Sequence, residues 1–277
     1  MAQLYSARSR AIEPFHVMAL LARANELQAA GHDVIHLEIG EPDFTTADPI
    51  VRAGQATLDR YGLSIWTGGG NDQVNGTRAG DFIDPGEGND RVWAGAGEDF
   101  INGSRGNDTI FGGAGNDNIR WGQGTAEGNS GTKGLAYGND VLNGGTGSDV
   151  VNLWAHDWDG TGVSVKMTSA LNGTATIDFT GTTETARFSS FETVWTHEGR
   201  DTIDGSGADI GLNAAGFHGG ARWGNDVLIG SAGRDTLEGG EGRDTITGGR
   251  GNDLISTNGD FYNMSAPGDG DADTLIF

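Results

Sequence analysis

Through the middle of this chain an aspartate returns every nine residues, and a large aliphatic residue stands two positions after each one. The aspartates are Asp72, Asp81, Asp90, Asp99, Asp108 and Asp117; the aliphatics are Val74, Ile83, Val92, Ile101, Ile110 and Ile119. The fullest copy reads Gly112-Gly113-Ala114-Gly115-Asn116-Asp117-Asn118-Ile119-Arg120. A flexible Gly/Asp-rich linker has no need of an aliphatic at a fixed offset from each acid, so the period argues for a repeated packed unit.

The frame breaks at a Gly-rich insertion, residues 121–137, and resumes at Asp140 and Asp149 with Leu142 and Val151. A non-repeat stretch follows from Leu153 to about Glu198. Its alternation in Gly162-Val163-Ser164-Val165-Lys166-Met167 and Ala175-Thr176-Ile177-Asp178-Phe179 predicts antiparallel strands. Asp201 with Ile203 restarts the pattern, and the next copy has Ile210 where an aspartate is expected. Asp226, Asp235, Asp244 and Asp253 form a second regular block, with a last copy at Asp273 and Leu275.

Gly at the turn positions permits positive φ, and Asn before Asp is read as tolerating left-handed geometry too. The aliphatic and its two neighbours make a short strand, with the aliphatic facing one way and its neighbours the other. Nine residues are one turn and one strand, so two repeats make an 18-residue coil with strands on opposite faces. Stacked coils put aliphatics from both sheets into a narrow interior. The expected fold is all-β: a right-handed parallel β-roll with an antiparallel β insertion, preceded by a short α/β segment. The same geometry stacks Asp72, Asp90 and Asp108 on one edge and Asp81, Asp99 and Asp117 on the other. Neighbours in such a column are ~4.8 Å apart and repel by about 3–4 kcal/mol at an effective dielectric near 20. Cations between the coils relieve that repulsion. Calcium suits a turn rich in carbonyls, because it takes six to eight oxygens; magnesium demands tighter octahedral geometry, and zinc prefers His or Cys.

The pattern G-G-x-G-x-D-x-U-x, with U a large aliphatic, resembles the RTX calcium-binding nonapeptide repeat over residues 68–277. The resemblance implies several Ca2+ ions between turns of successive coils, held by aspartate side chains and turn carbonyls. The candidate ligands are Asp72, Asp81, Asp90, Asp99, Asp108, Asp117, Asp140, Asp149, Asp226, Asp235, Asp244 and Asp253. Ions that bind only the folded roll stabilise it by mass action, so the roll is expected to be largely disordered without calcium.

Composition agrees with a cation partner. Seventeen basic and 39 acidic residues give a formal charge of −22, which disfavours nucleic acid and anionic membranes. With no Cys, disulfides and thiolate metal sites are excluded. No apolar run approaches the ~20 residues of a membrane helix, and no secretory signal peptide is read at the start. The acid-then-apolar ending Asp273-Thr274-Leu275-Ile276-Phe277 has the flavour of an uncleaved export signal of RTX proteins. The expectation is a secreted, non-enzymatic module that leaves by a type I route and folds in extracellular calcium.

Residues 1–60 differ: they hold three of the 50 Gly, and their net charge is −3. Pro14 opens a helical stripe of Val17, Leu20, Leu21, Ala24 and Leu27 that ends at Gly31. Val34-Ile35-His36-Leu37-Glu38-Ile39 reads as a strand, and Asp48-Pro49 starts a second helix toward Tyr61. The wording Glu13-Pro14-Phe15-His16-Val17-Met18 and Asp33-Val34-Ile35-His36-Leu37-Glu38-Ile39-Gly40-Glu41-Pro42-Asp43-Phe44 resembles the start of a class I/II pyridoxal-phosphate aminotransferase. Such chemistry needs a Schiff-base Lys, and the chain has only Lys133, in the insertion, and Lys166, in a predicted strand. No transaminase activity is expected. The domains read as 1–61, an aminotransferase-like fragment; 62–152, the first repeat block; 153–198, a β-rich spacer; and 199–277, the second block.

Other motifs are weaker. His197-Glu198 begins like a zinc-protease HExxH, but the fifth residue is Asp201, so Glu198 reads as a solvated loop residue. Trp93 and Phe111 are 18 apart, as are Phe82 and Phe100, so each pair should stack on an outer sheet face. Packing against an inserted segment is the favoured role; a platform for a cell-surface or extracellular polysaccharide is the alternative.

Overall fold

A computed structural model describes residues 58, 60–122, 137–153, 162–179, 181–212, 214–257 and 274–276. The chain divides between Gly54 and Gln55, and all described residues fall in the second part. The first helix, the strand at 34–39, Lys133 and Asp273 lie outside the described residues, as does most of the second helix. Its end is helical at Leu58, Arg60 and Tyr61.

The remainder is β. One sheet runs, in spatial order, through Ser64–Trp66, Phe82–Asp84, Phe100–Asn102, Asn118–Trp121, Val150–Leu153, Thr193–Thr196, Ala215–Gly220, Arg234–Glu238 and Leu254–Ser256. The other runs through Gln73–Asn75, Arg91–Ala96, Thr109–Ala114, Asn139–Thr146, Thr182–Ser189, Gly173–Phe179, Ser164–Met167, Thr202–Asp204, Val227–Ile229, Thr245–Thr247 and Thr274–Ile276. Successive repeats alternate between the sheets, and pairing is parallel with an offset of 18, as in Val92 opposite Ile110 and Ile83 opposite Ile101. The aliphatics Ile83, Val92, Ile101, Ile110, Ile119, Leu142 and Val151 are buried and join one core. In Gln73–Asn75 and at 91–93 both neighbours of the aliphatic are exposed, whereas on the first sheet Asp84, Asn102, Arg120 and Asn152 are buried beside their aliphatics. Burying each such side chain stabilises the fold by about 2 kcal/mol.

The stretch between the blocks is woven into the sheets. Thr182–Ser189 pairs parallel with Asn139–Thr146, Gly173–Phe179 turns back antiparallel, and Ser164–Met167 pairs antiparallel with it before meeting Thr202–Asp204 in parallel. The antiparallel insertion predicted from alternation is therefore present.

One register differs from the sequence reading. The residue that fills the aspartate position of the degenerate copy is Phe217, opposite Asp235 in the next coil, and not Ile210. The aliphatic position two later is Gly219, where a Cβ would lie 2.9 Å from the Phe217 ring. The ring occupies the space that an aliphatic fills elsewhere, so the copy reads F-x-G in place of D-x-U.

The aromatic pairs stack as expected but fare differently. Phe82 and Phe100 lie 5.4 Å apart and half-buried on the first sheet, between Trp66 and the Arg120 guanidinium. Trp93 and Phe111, 6.2 Å apart on the second sheet, are exposed, and most of the insertion 121–137 lies outside the described residues. Glu198 is a half-buried residue of a two-residue strand paired with Trp223–Gly224, which replaces the solvated loop expected from sequence.

Candidate metal centre

Each aspartate is set by the turn before it. In the turn ending at Asp117, Gly113 and Gly115 have φ of 117° and 136°, which side chains adopt only at a cost. A Cβ at Gly115 would stand 1.7 Å from the Gly97 carbonyl oxygen of the preceding coil, and one at Gly112 would stand 2.4 Å from Asp117 Oδ2. The glycines thus let carbonyls of successive coils close around the carboxylate.

The carboxylates form two rows. In the first, the N–H groups of Asp72, Asp90 and Asp108 donate to Oδ1 of Asp90, Asp108 and Asp140 at 2.8, 2.8 and 2.9 Å. The second repeats this from Asp81, Asp99 and Asp117 to Asp99, Asp117 and Asp149 at 2.7, 2.9 and 2.8 Å. Past the interruption, Asp201 donates to Asp226, Asp226 to Asp244, and Asp235 to Asp253. All twelve predicted aspartates stand in these rows. Asp201 also belongs to them, and sequence had marked it only as a restart. Glu184 accepts the Tyr137 N–H at 2.5 Å, and Glu192 accepts the Asp149 N–H at 2.6 Å. Glu192 was legible in principle, since Val194 follows it at the usual offset.

The two oxygens of each carboxylate are treated differently. Oδ2 of Asp90, Asp99, Asp108, Asp117, Asp140, Asp149 and Asp226 is buried and accepts no hydrogen bond. Burying an ionised oxygen unpaired is costly, and the titration reflects it. Burial, with Asp108 and Glu184 nearby, pushes Asp140 up to about 9. Burial likewise raises Asp226 to about 8, Asp99 and Asp108 to about 7, and Asp117 to about 6, with neighbouring carboxylates adding to the rise. Asp90, Asp149 and Asp235 are raised by the same cause, and Asp201 reaches about 6 against the pull of Thr196 and the Val163 N–H.

Among the described residues, no three His, Asp or Glu side chains converge on one point. An ion here must draw its remaining donors from turn carbonyls. Unpartnered buried carboxylate oxygens beside glycine-lined carbonyl turns fit a hard, oxygen-seeking cation such as calcium. A groove of about 360 Å³, lined in part by Asn71, Asp72, Asn89, Asp90 and Asn107, opens the first row to solvent.

The asparagines preceding the aspartates are not left-handed: among the described non-Gly residues only Ser104 and Ser190 have positive φ. Instead, Asn71, Asn89 and Asn107 accept the N–H of Asn89, Asn107 and Asn139 at 2.9, 2.8 and 2.7 Å, an exposed ladder beside the buried one.

A family model, the RTX calcium-binding nonapeptide repeat, matches in four copies at residues 64–83, 84–119, 136–157 and 221–255. These stretches are RTX repeats, the two-sheet stack is their parallel β-roll, and calcium is the ion that such repeats bind. A second similarity is short. The chain is 51% identical over 55 residues to "(5-formylfuran-3-yl)methyl phosphate transaminase" of Methanocaldococcus jannaschii, covering 20% of this chain and 15% of that protein. It is 41% identical over 63 residues to the aspartate aminotransferase of Bacillus subtilis, covering 23% and 16%. The chain thus spans about a sixth of the length of these relatives. Lys166 stands exposed on an outer sheet face.

Proposed function

We propose that this chain is a calcium-binding β-roll module of a secreted protein, non-enzymatic itself, which folds when it meets calcium outside the cell. The observation that carries the reading is the set of buried Oδ2 atoms without a hydrogen-bond partner at seven successive or equivalent turns. The residues that hold the ions are the aspartates of the two rows whose Oδ2 is left bare, with turn carbonyls beside them. Calcium supplies the positive charge that lets those carboxylates stay ionised inside the fold. At the low calcium of a cytosol the rows repel and the chain stays open for export through a type I route. At millimolar calcium the roll closes. Circular dichroism with chelator and then with millimolar calcium tests this: a strong gain of β signal is expected, and identical spectra would overturn it.

A second reading concerns the same module's partner. Trp93 and Phe111 form an exposed stacked pair on a flat sheet face, the geometry on which pyranose rings stack. Binding to a polysaccharide on a glycan array, lost in Trp93→Ala, would support that role, and no binding would remove it.

A further inference from the structure

Two turns are built unlike the rest. In turn 76–81 the second and fourth positions are Thr77 and Ala79; in turn 230–235 they are Ser231 and Gly233. None of these four has positive φ, whereas every other described turn that ends on a row aspartate has it at one of those positions. The Thr77 N–H donates to Asp81 Oδ2 at 2.7 Å, and its hydroxyl lies 3.1 and 3.2 Å from Oδ1 and Oδ2. The hydroxyl in turn accepts the Ala79 N–H at 3.2 Å. Ser231 repeats the arrangement: N–H to Asp235 Oδ2 at 2.6 Å, hydroxyl 3.0 Å from both oxygens, and the Gly233 N–H on the hydroxyl at 2.9 Å. Asp81 and Asp235 therefore lack the bare buried Oδ2 of Asp99 and Asp117.

Their positions share a logic. Asp81 is the first carboxylate of its row, and the N–H below it comes from Leu63 at 2.5 Å. Asp235 restarts the same row after its break, and the N–H below it comes from Phe217 at 2.9 Å. In both places the coil below has an apolar residue in the aspartate register, so no carboxylate exists there to share an ion.

We infer that Thr77 and Ser231 stand in for the cation: turns 76–81 and 230–235 hold their carboxylates with hydroxyl and amide donors, take no calcium, and start each stretch of the row without metal. This rests on the calcium reading above. Calcium uptake by the full chain, measured as ions per chain by titration calorimetry, tests it. Asp81→Asn and Asp235→Asn are expected to keep the wild-type number, whereas Asp99→Asn and Asp117→Asn each lose at least one ion. Thr77→Ala, which removes the hydroxyl with the γ-methyl and keeps the backbone N–H, should keep the number and lower the melting temperature in saturating calcium. An ion lost in Asp81→Asn, Asp235→Asn or Thr77→Ala overturns the assignment of these turns and leaves the calcium reading standing. A wild-type chain that takes up no calcium overturns both.

Discussion

Acid should stabilise the metal-free roll. In the folded state Asp140 titrates at about 9 and Asp226 at about 8, against an ordinary value of 3.8, with burial the main cause. Between the ordinary and folded values the folded chain holds a proton that the unfolded chain has released, so stability rises as pH falls. That contribution is complete below 3.8 and is lost as pH climbs through about 8 to 9. Each pH unit inside the window is worth about 1.4 kcal/mol per group. Going from pH 7 to pH 5 therefore returns roughly 3 kcal/mol each at Asp140 and Asp226, about 5–6 kcal/mol together, which rivals the net stability of a whole domain. Asp99 and Asp108, at about 7, push in the same direction. The assay is the urea midpoint of thoroughly demetallated chain, followed by circular dichroism between pH 7.5 and 5, above the isoelectric point near 4.3 where the chain would precipitate. A midpoint that rises with acid is expected. Calcium should help less at pH 5 than at pH 7, because it must displace those protons. A metal-free midpoint that is flat, or falls, between pH 7 and 5 would refute the account of unpaired buried oxygens.

Three further outcomes are expected. Gly115→Ala puts a Cβ 1.7 Å from the Gly97 oxygen at a φ of 136°; the loss should be on the order of 3 kcal/mol or more, read as a lower urea midpoint in saturating calcium. Asn107→Ala removes only an exposed acceptor, that of the Asn139 N–H, and should cost under about 1 kcal/mol by the same measure with calcium stoichiometry unchanged. Mixing the chain with pyridoxal phosphate should give no internal-aldimine absorbance, since Lys166 sits exposed on a strand of the roll.

Most of the architecture was legible because a nine-residue period with an aliphatic at a fixed offset has few solutions. The two parallel sheets, the offset of 18 and the two aspartate rows all follow from it. Where the reading slipped, a residue played its neighbour's part. Phe217 stands in the acid's register and its ring fills the space above Gly219, so the core stays filled while the motif disappears from the sequence. Asn116 and its equivalents were assigned a backbone role because Asn tolerates left-handed φ; the left-handed residues are the glycines, which frees the Asn side chain to accept an N–H from the coil above. Thr77 and Ser231 interrupt the glycine pattern in plain view, yet only the turn geometry gives that a meaning.

The division of labour within the buried carboxylates underlies the proposed dependence of the repeat on a cation. Oδ1 is used by the protein itself, accepting the N–H of the coil below and so fixing the vertical register. Oδ2 is buried in the same stroke and receives nothing. A polar group satisfied on one side only is worse for a fold than an apolar one, and here the deficit recurs at each open turn. The aliphatic interior is one residue wide per strand, about 2 kcal/mol for each buried side chain. At pH 7 without metal, Asp140 must take up a proton to be buried, which costs on the order of 4 kcal/mol, from the gap between pH 7 and its ordinary 3.8. That cost exceeds the gain from the aliphatic that accompanies it, which is the deficit the proposed calcium would offset. At Thr77 and Ser231 hydroxyl and amide donors reach Oδ2 of Asp81 and Asp235, and there the deficit is absent; Asp201, above Val163, keeps it.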